Sequence, residues 1–417
     1  MSRTARSVAR APGRAIAVAA LSALVAAFAA AAPRTMTPGP CGGPLADRIV
    51  QVALPGHPFQ VLPSPDDCWL YVSLNSSGPR SLNGVAVLKR EKGSATLVRV
   101  VPVEAEPAGM VLTHGGGLLV VSDGESVVFL DTASMRSGHG DPILGYLSDG
   151  EDAGSVYLNC TRDDRTLFVS DEYAQAITVI DLERARANGY KADAIVGRIP
   201  VGQAPVALTF SPDERTLFTT SQAAPKSWGW PAECVLEGAD PSQTTPSEPK
   251  GAVIVVDVER ARRDPSNAVV ARVPAGCHPV RLVLSETGDL AYVTARKSNP
   301  LLAFDTAKLR SDSTAQAIGS VPVGPAPVGV TVARAAGREI VVVANSNRFA
   351  GAGAESLTVI DAKRMGEGAA AAIGRIPAGK FPRELRVIDG GRTLVVTNFL
   401  SDSIQLVDLD RVSLDAR

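Results

Sequence analysis

The chain has 417 residues and carries 42 Lys+Arg against 43 Asp+Glu, a formal net charge of −1. That balance argues against a nucleic-acid partner, which calls for a basic surplus. Hydrophobic residues at 45% suit a large core, whereas aromatics at 5% are too few for an extended stacking platform.

The amino-terminal segment differs in kind from the rest of the chain. Arg3, Arg6, Arg10 and Arg14 precede an Ala/Leu/Val run from Ala15 to Ala32, followed by Pro33 and a Pro/Gly-rich stretch. A basic start, a short apolar run and small residues at Ala29 to Ala32 form the pattern of a Sec-type signal peptide, 1–32, with a flexible leader at 33–46. The alternative is an uncleaved anchor helix; the run is short for a span, and no basic cluster follows it. Pro38-Gly39-Pro40 ahead of Cys41 lacks the residues of a lipobox. The expectation is a bacterial periplasmic or secreted protein, off the membrane after cleavage.

From Asp47 to Asp410 the sequence consists of seven imperfect copies of a unit of about fifty residues. Pro55, Pro102, Pro200, Pro274, Pro322 and Pro377 mark a recurring I/V-P-x-G turn. Between Pro102 and Pro200 lies a degenerate copy whose turn reads LSDGEDAG, Leu147 to Gly154, and an insertion separates Pro200 from Pro274. Inside each unit, short β-branched runs alternate with Gly, Pro, Asp and Asn, which predicts four short strands. One four-stranded sheet cannot bury both faces unless neighbours stack on it, so the units predict an all-β, seven-bladed β-propeller over 47–411. The phase is offset: DRIVQVALPG, from Asp47, matches the last strand of a unit, and the last unit stops after its third. Ile49 to Leu54 is therefore expected to complete the final blade and remove an open sheet edge.

These residues carry a resemblance. SPDDCWLYV (Ser64 to Val72), SPDERTLF (Ser211 to Phe218), VVANSN (Val342 to Asn347), VTN (Val396 to Asn398) and TVID (at Thr178 and again at Thr358) are similar to the unit of the YVTN-repeat, YncE-like propellers. The resemblance covers all seven units. It implies the propeller fold, and with it a binding, surface or scaffold role, with lactonase-like propellers as more distant relatives.

Export permits disulfides. In blade register, Cys41 and Cys68 fall at the bottom face near the closure, and Cys234 and Cys277 at the top. The expected pairs are Cys41 with Cys68 and Cys234 with Cys277, leaving Cys160 unpaired; five reduced thiols are the alternative.

Loops joining the second strand to the third, and one blade to the next, share the top face and surround the channel mouth. They place His57, Asp171, His278, Asn345, Arg383 and Asn398 around the mouth with Arg281 and Glu384 just inside. Asn and Asp at strand ends are also ordinary turn residues that bond nearby backbone. The insertion 222–250 brings Trp228 and Trp230 to the top face, as a ligand platform or as rings packed on the neighbouring blade. No G-x-S-x-G, H-E-x-x-H, C-x-x-C or phosphate-binding loop occurs, and no cofactor or metal is expected. Two readings result. One is a monomeric binding or scaffold protein whose top face meets a protein, peptide or glycan. The other is a lactonase-like or metal-assisted hydrolase with its site at the channel mouth.

Overall fold

The computed structural model describes residues 41–75, 82–91, 93–236, 239, 245–349 and 355–414, so the segment 1–32, expected to be a signal peptide, lies outside the described residues. Seven four-stranded antiparallel sheets form the blades of a propeller. In chain order they run over Pro58–Pro102, Met110–Ser148, Ser155–Pro200, Gln203–Pro274, Pro279–Pro322 and Pro327–Pro377, and the seventh joins Pro382–Asp408 to Ile49–Ala53. In each, the first strand lies at the hub and the fourth at the rim. The closing strand pairs antiparallel with Ser403–Asp408, from Ile49 opposite Val407 to Ala53 opposite Ser403, as the repeat phase predicts. Leu45, read from sequence as part of a leader, is buried in the core against this closure.

Burial on both faces explains why the strands read as continuous apolar runs. Ile340, Val341, Val342 and Val343, consecutive in one strand, are all fully buried between blades. The Asp that ends the third strand of blades two to five does more than stop it. Asp131, Asp181, Asp257 and Asp305 cap short helices, accepting from the backbone N–H of Ser134, Arg184, Arg260 and Lys308 at 2.7–3.0 Å.

Two devices stitch blade to blade. Near the end of the second strand, a hydroxyl accepts from its own hub strand and donates to a carbonyl in the next blade. Thr220 takes the Ala207 N–H at 3.1 Å and gives to Val280 O at 2.9 Å; Thr294 takes Arg281 N–H at 3.2 Å and gives to Val328 O at 2.8 Å. Ser73 does the same toward Ala108. On the bottom face, an acidic residue in a tight turn accepts from the backbone of the preceding blade. Asp164 takes His114 N–H, Glu214 takes Arg162 N–H, and Asp67 takes Asp389 N–H.

The joint between blades seven and one carries an additional clamp. Arg90 donates from Nη1 and Nη2 to both Asp389 carboxylate oxygens at 2.9 and 2.7 Å, and from Nη1 to Asp67 O at 2.8 Å, with both side chains almost wholly buried. The disulfides Cys41–Cys68 and Cys234–Cys277 form as expected, and Cys160 is a free, buried thiol. Among the described residues no helix is long and apolar enough to cross a membrane.

Candidate functional site: the hub cavity

The hub strands bring residues from non-adjacent blades into contact across the propeller axis. Tyr157 of blade three, Arg281 of blade five and Glu384 of blade seven form one cluster. The Arg281 guanidinium lies 3.9 Å from the Tyr157 ring centroid, and its Nε is 3.5 Å from Glu384 Oε2. Tyr157 Oη donates to the same Glu384 oxygen, and Arg386 Nη1 donates to Oε1 at 2.5 Å. Burial opposes ionisation of Glu384, yet Arg386, Arg281 and the Tyr157 hydroxyl hold its carboxyl below the usual range.

This cluster forms the inner wall of a cavity of about 390 Å³. Leu208, Leu282, Val283 and Val330 give it apolar sides, and His114 and Glu214, on bottom-face turns, stand at its outer end. Within it, Arg281 is only 6% exposed, and its Nη1 and Nη2 have no hydrogen-bond partner. Both atoms are buried beside the cavity, and their four donor hydrogens have no protein acceptor, a costly arrangement for a group that is always charged.

The sequence places ligand access at the top mouth; the cavity instead reaches the bottom-face turns. The reason is an apolar collar at the top end of the hub strands. Phe59, Ala108, Val206, Val280, Val328 and Phe381, with Tyr157, form one buried cluster drawing a residue from nearly every blade. Arg383 lies within this collar, 3.6 Å from the Phe59 ring centroid, and burial followed by the nearby Arg281 pushes its pKa down to about 9. Glu172 is raised by its burial, against the pull of Arg383, Arg296, Arg281 and Arg348.

The other residues nominated from sequence separate. His57 Nδ1 pairs with Asp402, whereas His278 Nε2 lies 2.5 Å from Glu248 Oε1, so the two histidines engage different acids. Asn345 and Asn398 are turn caps: their Oδ1 atoms accept from Gly324 and Gly379 N–H at 2.9 and 3.1 Å. Asp171 is fully buried and accepts from Thr178 Oγ1; burial, then the adjacent Asp149, raises its carboxyl to about 7. Trp228 and Trp230 stack edge to face at 5.3 Å and pack on the apolar core shared by blades three and four. They line a groove of about 430 Å³ with Val270, Arg272 and Pro274 of that blade's outer strand, away from the hub.

Of the nominated set, therefore, Arg281, Glu384 and Arg383 come together, and sequence reasoning missed Tyr157 and Arg386. Their alternation with apolar residues along the hub strands is the signal that points to them, since a strand facing a filled core has no use for such side chains.

No family profile matches the chain, and no curated protein matches it in sequence. Among solved structures it is similar to a chain of hydrazine synthase from Kuenenia stuttgartiensis, with a TM-score of 0.61 and 17% identity over 88% of this chain and 98% of that one. It is also similar to a chain in the crystal structure of a mitotic checkpoint complex, with a TM-score of 0.62 and 14% identity over 93% and 99%. At such identities the likeness is one of fold, not of activity.

Proposed function

We propose that the protein is an extracytoplasmic binding propeller of the YVTN-repeat kind that holds an anionic small molecule in its hub. The observation that carries this reading is the unmet Arg281 fork, buried at the wall of a cavity large enough for a small ligand. A carboxylate or phosphate presents two oxygens to such a fork, giving paired, charge-assisted hydrogen bonds. The repeat motifs support the family, and two disulfides fit an oxidising compartment. Glu384 offsets part of the local positive charge, which favours a ligand of low negative charge.

Thermal melting of the purified protein against monocarboxylates, dicarboxylates, phosphate and neutral isosteres tests this. At saturating ligand, a carboxylate or phosphate raises Tm in the wild type but not in Arg281→Met. Stabilisation by neutral compounds alone, or equal shifts in both proteins, contradicts the reading. A second reading, a peptide or glycan held against blade four, is favoured by the groove beside Trp228, Trp230 and Arg272.

A further inference from the structure

The bottom-face staples repeat around the ring, and one of them carries two residues that stapling does not need. At the joint of blades two and three, Asp164 accepts the His114 N–H, as Glu214 and Asp67 do at their own joints. Where those two joints have Arg162 and Asp389, this one has His114. Where they have Phe210 and Pro63 at the end of the hub strand, this one has Cys160. The His114 Nδ1 lies 2.8 Å from Asp164 Oδ1, and Cys160 Sγ lies 3.6 Å from the same oxygen. Donor atoms of all three residues fall within 4.8 Å of one another, and among the described residues this is the one such group of His, Cys and acid.

We propose that His114, Cys160 and Asp164 form a zinc site with an open fourth position facing the hub cavity. Imidazole, thiolate and carboxylate are the ligand types zinc takes, and three protein ligands plus an open position is its habit where the metal meets a small molecule. Tetrahedral bonds to N, O and S place ligand atoms roughly 3.3–3.8 Å apart, so small side-chain adjustments suffice. His114 and Cys160 both line the cavity, so the vacant position opens where a ligand enters. Cys160 is deprotonated on binding, and its proton leaves to solvent as the sulfur–zinc bond forms. A metal-bound thiolate also accounts for a single unpaired cysteine in a chain whose other four are joined in disulfides.

The test uses the full chain, stripped of metal and shown to be folded by its melting curve. Zinc affinity is measured by competition with a chromophoric chelator, and cobalt(II) is added separately to report thiolate ligation by its near-ultraviolet charge-transfer absorption. The wild type takes up one zinc and shows the cobalt band. Cys160→Ser loses the band, and both it and His114→Asn bind zinc at least about tenfold more weakly. Because Cys160 is buried and His114 is exposed, His114→Asn remains informative should Cys160→Ser fold poorly. A folded wild type that shows no cobalt band, or zinc affinity unchanged in His114→Asn, overturns the proposal and leaves the trio as a staple only.

Discussion

Two arginines buried in this propeller are treated in opposite ways. At the closing joint, both terminal nitrogens of Arg90 are met by protein oxygens, from Asp389 and Asp67. In the hub, Arg281 keeps its Nε near Glu384, and its terminal nitrogens are buried beside the cavity without a protein acceptor. Both are almost fully buried, so desolvation weighs on each. The arginine that holds blades together has both terminal nitrogens paired within the fold, and only its Nε lacks a partner. The hub arginine keeps its terminal donors without a protein acceptor, which is why the proposed anion is assigned to it.

The largest expected effect belongs to the closing joint. Deleting Asp47 to Ala53 removes the fourth strand of blade seven and exposes the sheet edge of Ser403–Asp408, so the truncated protein is expected to aggregate or to lose its cooperative melt. A melt close to wild type would show that this strand does not seal the ring. Next, Arg90→Ala leaves Asp389 buried without its partner and should cost about 3–5 kcal/mol in denaturant unfolding. The double change Arg90→Met with Asp389→Leu is expected to recover much of that loss.

Smaller effects sharpen the contrast. Thr294→Val removes one inter-blade hydroxyl bridge, leaves the Arg281 N–H and the Val328 carbonyl without that partner, and should cost about 1–3 kcal/mol. The pH dependence has a fixed sign. The Asp171 carboxyl is raised by burial and Asp149 to about 7 in the folded state, above its unfolded range. The folded state therefore binds the extra proton, and its stabilisation is complete at acid pH and lost as pH rises through about 7. Asp171→Asn should flatten the slope of stability between mildly acidic and mildly alkaline pH, and an unchanged slope would assign that titration elsewhere.

Much of the fold was legible because the repeat carries a phase. A unit that begins at its fourth strand and ends at its third can close only by pairing Ile49–Ala53 with Ser403–Asp408. The same register placed Cys41 beside Cys68 and Cys234 beside Cys277. The site was harder to read. Arg281, Glu384 and Arg383 are legible from sequence as polar residues at the mouth, but Tyr157 and Arg386 join them only across the axis, and contacts between blades three, five and seven leave no spacing in sequence. The top mouth looked accessible because loops gather there. Phe59, Val206, Val280, Val328 and Phe381 form a buried apolar cluster at that end of the hub strands, and none of these is distinguishable from an ordinary core residue until the ring closes. The caps made by Asn345 and Asn398 follow from turn chemistry that also occurs in sites, so residue type alone did not separate the two roles.

The comparison between the two arginines is tested most directly by denaturant unfolding of Arg281→Met and Arg90→Met side by side in ligand-free buffer. Arg281→Met is expected to match or exceed the wild type in stability, since the change removes unmet buried donors while Arg386 and Tyr157 still serve Glu384, and Arg90→Met is expected to lose several kcal/mol, of order 3–5. A loss in Arg281→Met as large as that in Arg90→Met would contradict the account and make the hub arginine part of the framework.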